Sequence, residues 1–125
     1  MKIEVGQRDT YERTFSAEDV RSFAEISGDK GIHHMRPDSK GRILVQGLLT
    51  ATIPTKLGGD LNYIAREMTL EFVGPVFVGD TVTCEAVITK VEPGEGHLKI
   101  AVEMVCRNQH GEEVLLGKTH GIVRL

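Results

Sequence analysis

The chain has 125 residues, of which 40% are hydrophobic and 26% charged, the composition of a globular domain with one core, which excludes a disordered chain or two separately folded units. Fifteen basic residues against eighteen acidic ones leave a net charge of −3, so neither nucleic acid nor an anionic membrane surface is an expected partner. The apolar runs fall short of the ~20 residues that cross a bilayer, the start carries no signal-peptide pattern, and Cys84 and Cys106 make neither a disulfide framework nor a zinc pattern; the expectation is one cytoplasmic domain over residues 1–125.

Residues 8–15 are rich in β-formers and read as a first strand. Ser16-Ala-Glu-Asp19 then reads as a helix start: the Ser16 hydroxyl can accept from the Asp19 amide, the Asp19 carboxylate can answer the Ser16 amide, and Glu18 and Asp19 suit the positive end of the dipole. Val20, Phe23, Ala24 and Ser27 follow at helical spacing, and Gly28 is the stop. Residues 28–42 hold glycines, a proline and several charges and read as one long irregular loop, a length usually reserved for function in a compact domain. The nearly uncharged stretch 43–57 predicts a second helix over Gly47–Leu57, apolar on most of its surface, buried on most sides and closed by Gly58-Gly59. Pro54 inside it removes one backbone bond and predicts a kink or an early end.

Beyond residue 60 the pattern has period two. Ile64, Met68, Leu70 and Phe72 are assigned to one strand face, and Val82, Cys84, Ala86 and Ile88 to one face of the next. Leu98, Ile100, Val102, Met104 and Cys106 form the clearest stripe, with Lys99, Glu103 and Arg107 between them. Pro93–Gly96 and Asn108–Gly111 read as turns. With residues 94–96 closing the first of these hairpins, Cys84 lies opposite Cys106 on the buried face, two reduced thiols acting as small hydrophobes. A single apolar helix with no helical partner needs a sheet to wrap it, which predicts an α+β domain with a curved antiparallel sheet around a central helix. The open edges of such a sheet predict a homodimer at least.

Two segments carry candidate chemistry. Asp29 follows the helix-ending Gly28, and His33 and His34 come next in the same loop; a carboxylate and an imidazole held together can share a water and move protons near neutral pH. The same spacing also fits a Gly-Asp turn followed by solvent-exposed histidines. In Val45-Gln-Gly-Leu-Leu49, Gly47 opens the buried helix, whose first amides lack helical partners and could hold a thioester or ester carbonyl oxygen as charge develops on it. A glycine needed for close approach of loop and helix fits equally well. His97, His110 and His120 read as ordinary turn or strand residues, and Asp29, His33 and His34 have no well-spaced fourth ligand, so no metal is expected.

Taken in order, Ser27-Gly-Asp-x-x-x-x-His34, Val45-x-Gly-Leu-Leu49 and Phe72-Val-Gly-Pro-Val-Phe-Val-Gly-Asp-Thr-Val82 resemble the MaoC-like, (R)-specific enoyl-CoA hydratase branch of the hot-dog fold, over about residues 13 to 124. The resemblance implies a hydro-lyase acting on the C2–C3 bond of a 2-enoyl- or 3-hydroxyacyl-CoA. It implies Asp29 and His34 as the catalytic pair holding the water, Gly47 as the oxyanion amide, and Thr55, Gln46 and His33 around the substrate. It further implies an acyl-CoA as the small-molecule partner and no cofactor beyond that thioester. The chain departs from the family pattern at Gly31-Ile32, where Asn-Pro is usual, at Gln46, where histidine is common, and in a shorter stretch from His34 to Gly47. A hot-dog thioesterase using Asp29 at the carbonyl and a non-catalytic acyl-thioester binder are the alternatives. Arg36, Lys40 and Arg42 read either as contacts for CoA phosphates or as surface charge.

Overall fold

The computed structural model describes residues 3–125. The predicted first strand and helix form as β1 (Arg8–Thr14) and α1 (Ala17–Ser27). The Asp19 amide donates to Ser16 Oγ at 3.1 Å and the Ser16 amide to Asp19 Oδ2 at 2.9 Å, so the reciprocal cap is complete. Gly28 takes the left-handed conformation at φ 77° and its amide closes the helix on Ala24 O. Val20 and Ala24 face the core.

The segment 28–42 is more ordered than its composition suggests. It contains a one-turn helix, α2 (Ile32–Met35), and a turn built on Asp38, whose Oδ1 accepts from the Lys40 and Arg42 amides. That closure comes from a side-chain carboxylate replacing a backbone acceptor, which hydropathy does not reveal. Residues 43–45 then run beside 76–78, with Val45 N donating to Val76 O at 2.7 Å and Val78 N to Ile43 O at 2.9 Å.

The predicted central helix is two pieces, α3 (Gly47–Thr50) and α4 (Thr52–Asp60), joined at Ala51. Pro54 has no amide hydrogen to give Thr50 O, and Thr52 and Thr55 turn their hydroxyls back onto Leu49 O and Ala51 O, at 2.6 and 2.9 Å. Gly58-Gly59 does not close the helix. Both glycines stay outside the positive-φ region, Lys56 pairs with Asp60 across the final turn, and the left-handed residue that releases the chain is Asn62, at φ 56°. Leu49, Ile53 and Leu57 point into the core, while Leu48 is 61% exposed.

β2 (Tyr63–Phe72), β3 (Thr81–Gly94), β4 (His97–Arg107) and β5 (Glu113–Arg124) join β1 in one antiparallel sheet of order β1-β3-β4-β5-β2. α4 packs against it through Ile53 and Leu57 on a core that includes Phe15, Val82 and Leu115. The fold class is the predicted one, a curved sheet around a central helix.

Cys84 does pair with Cys106, by a different route from the one expected. Gly94 pairs with His97, so the turn is Glu95-Gly96 and one residue shorter than predicted; a bulge between Ile88 and Lys90 supplies the extra residue on β3 and restores the register. Both cysteines are free and buried, and the Cys84 contact together with burial pushes the Cys106 thiol far above its ordinary range. A second bulge, between Ala65 and Glu67 on β2, reverses the alternation, so Ile64 does not share a face with Met68 as the period predicted. Tyr63 and Ala65 face the helix with Met68 instead.

Candidate active site

Asp29 is placed by the end of α1. Ser27 donates its hydroxyl to Phe23 O at 2.6 Å and accepts from the Asp29 amide at 3.0 Å, so the turn after Gly28 is fixed from the last turn of the helix. Asp29 Oδ1 in turn accepts from the Gly31 amide at 3.3 Å, which directs the chain into α2.

His34 comes from α2 and is buried at 6% exposure, while its neighbour His33 is exposed. Its Nδ1 lies 2.7 Å from Leu44 O and its Nε2 lies 3.5 Å from Asp29 Oδ2. A carbonyl can only accept, so Nδ1 carries a proton; in the neutral ring Nε2 is therefore the basic nitrogen and faces the carboxylate. The His33 ring sits 4.0 Å from the His34 ring, centroid to centroid. It also occupies the space beside Gly31, where a Cβ would come within 2.8 Å of it. Glycine at that position is thus what admits the His33 ring. The His33 carbonyl accepts from the Leu44 amide, so both histidines grip the same residue of the neighbouring segment.

His34 opens on a cleft of about 650 Å³ whose walls include His33, Leu44, Gly47, Thr50 and Phe72. Two sequence candidates, His34 and Gly47, therefore share one space with His33 at its edge. The Phe72 ring lies over Gly47 so closely that a Cβ there would stand 2.8 Å from it, which is the packing reason for glycine. Gln46 provides no side-chain cap for α3, leaving the first-turn amides without a capping group. The packing reason for glycine at Gly47 therefore holds, beside a helix start that Gln46 does not cap.

Gln46 and Thr55 lie elsewhere. Gln46 is fully buried, donates Nε2 to Val20 O at 3.0 Å, and ties α3 to α1; among the described residues its Oε1 has no partner. Thr55 lines a second, apolar cavity of about 240 Å³ beneath α4, together with Pro54, Leu57, Ala86 and Met104. Tyr63 and Thr119 supply its polar pair at 3.0 Å, and burial raises the Tyr63 phenol. Sequence reasoning missed the Leu44 carbonyl, which sets the His34 tautomer. A backbone acceptor leaves no trace in residue identity, and only the pairing of 43–45 with 76–78 brings it there.

A family model described as FAS1-like, dehydratase domain region, matches residues 5–116. The chain is 30% identical over 125 residues to the 3-hydroxybutyryl-CoA dehydratase of Methylorubrum extorquens, covering 91% of this chain and 76% of the relative. It is 34% identical over 96 residues to the (R)-specific enoyl-CoA hydratase of Aeromonas caviae, covering 70% of this chain and 72% of that one. The solved structure of the A. caviae (R)-hydratase superposes with a TM-score of 0.85 at 29% identity, over 95% of this chain and 96% of that one.

Proposed function

This chain belongs to the MaoC-like dehydratase family and is a hydratase/dehydratase of the hot-dog fold, and from that premise we propose that it adds water across, or removes it from, the C2–C3 bond of an acyl-CoA thioester with Asp29 and His34 as its acid–base pair. The observation that carries this reading is the His34 ring: Nδ1 bound to Leu44 O, Nε2 facing Asp29 at 3.5 Å, on the same cleft as Gly47.

In the hydration direction a water held between Asp29 and His34 loses a proton to the pair as its oxygen bonds C3. The C2–C3 electron pair moves toward the thioester, and the enolate oxygen is stabilised by the amide of Gly47. The proton then returns from the pair to C2, so no group is consumed. With its Nδ1–H fixed on Leu44 O, the ring presents Nε2 beside the Asp29 carboxylate, where one water can contact both groups. His33 borders the thioester end of the cleft. Gln46 supports the site from behind by holding α3 to α1, and Thr55 lines the second cavity, which in this reading takes the acyl tail. The CoA thioester is the substrate, and the proposed chemistry needs no further cofactor.

A second copy of the chain completes the assembly in this reading. β2 is a sheet edge, and Leu48, Phe72 and Val73 beside the cleft are 61%, 52% and 47% exposed. The activity is tested with crotonyl-CoA: enoyl absorbance falls and no free thiol appears. Release of thiol, or absence of turnover with short, long and branched enoyl-CoA substrates, would overturn the proposal.

A further inference from the structure

Next to the cleft lies a groove of about 530 Å³ that shares His33, Leu44 and Pro75 with it. Its floor is apolar, with Ile32, Leu44, Pro75 and Phe77, and two guanidinium groups, Arg36 and Arg42, stand on it. Arg42 is held before any ligand arrives. Its Nε donates to Asp38 Oδ2 at 2.9 Å, and its guanidinium lies 4.2 Å from the centroid of the Phe77 ring. Asp38 remains an anion here, since the Arg42 amide and then the Arg42 side chain hold its carboxyl below the usual range.

Among the described residues the terminal nitrogens of Arg42 make no hydrogen bond, and Arg36 forms no ion pair. A guanidinium fixed through Nε and an aromatic face still presents a donor fork, the geometry that matches a phosphate oxygen pair. Lys40 adds a further cation to the same turn, so the rim is locally positive on a chain whose net charge is −3.

We propose that this groove seats the diphosphate and nucleoside end of the CoA thioester, with Arg36 and Arg42 on the phosphates and the nucleobase against the apolar floor. The inference rests on the acyl-CoA reading above and adds the residues that recognise the handle. An aromatic and proline-lined floor in a groove that two guanidinium groups also line fits a nucleotide better than it fits a lone phosphate, because a phosphate alone leaves the apolar surface uncovered. The continuity through His33 allows one extended ligand to occupy groove and cleft together.

The test compares crotonyl-CoA, crotonyl-phosphopantetheine and crotonyl-pantetheine as substrates of the wild type, Arg36→Ala and Arg42→Lys. The expected result is a fall of about tenfold in the ratio of kcat/KM for crotonyl-CoA to that for crotonyl-pantetheine in each variant, carried by KM, with added salt lowering the wild-type ratio toward that of the variants. Because each variant is its own control on the handle without phosphates, impaired folding lowers both rates and leaves the ratio unchanged. An unchanged ratio in both variants overturns the proposal, as does an equal loss with crotonyl-phosphopantetheine, which would assign the groove to a single phosphate. Failure of the wild type on all three substrates would instead remove the hydratase reading itself.

Discussion

His34 does two things with one ring: Nδ1 anchors it to the Leu44 carbonyl and Nε2 meets Asp29. Its removal should therefore have two separable effects. In His34→Ala, turnover of crotonyl-CoA falls by at least ~10²-fold through loss of the acid–base group, and denaturant unfolding shows a loss of about 1–3 kcal/mol because a carbonyl is left unpaired. His33→Ala, at an exposed ring, keeps most of the turnover and its unfolding stays within about 0.5 kcal/mol of the wild type. The reverse pattern would assign the chemistry to His33. The spacing of Asp29 and the two histidines was legible in the chain and the resemblance already pointed to His34, but the anchor that holds its ring, Leu44 O, is a main-chain atom brought in from a neighbouring segment and was not. Gln46 was read as lining the substrate and instead lies fully buried against Val20 O, because an amide side chain at that position finds its acceptor in α1 rather than in the cleft.

At the level of elements, local signals succeeded where they act through local bonds. The Ser16–Asp19 cap was readable from four residues and forms as read; Ser16→Ala should cost about 1 kcal/mol in denaturant unfolding. The Ser16 amide, followed by the Arg13 guanidinium and the Ser16 hydroxyl, holds the Asp19 carboxyl below its ordinary range. A lowered folded-state value means that the stabilisation is complete above the unfolded carboxyl value of about 3.9 and is lost as pH falls below it. The stability gap between wild type and Asp19→Asn is thus expected to be full at neutral pH and to shrink as the pH drops below about 4; a gap that widens in acid would contradict this origin. Features that depend on pairing were not legible. Neither bulge is marked by glycine or proline at its odd residue, Arg66 or Thr89, so a strict period of two put Ile64 on the wrong face. The Cys84–Cys106 register came out right because a shorter turn and an extra strand residue offset each other.

For the whole molecule, the sheet around a central helix follows from one apolar helix and a run of alternating strands, which leaves few other ways to bury the helix. Leu48, Phe72 and Val73 form an exposed apolar border to the cleft, and sedimentation at micromolar concentration should give a dimer that Phe72→Asp shifts toward monomer; a monomeric wild type would contradict it. The second cavity beneath α4 is separate in its lining residues from the cleft, which is why Thr55 could be placed near the substrate by position yet not beside the catalytic pair.

The most direct test of the central claim is the rate of crotonyl-CoA hydration by Asp29→Asn beside the wild type, with thermal unfolding measured on both. Asp29 is 49% exposed at its side chain, so the account predicts a loss of at least ~10²-fold in kcat with little change in the unfolding midpoint. Hydration by Asp29→Asn at the wild-type rate would contradict it.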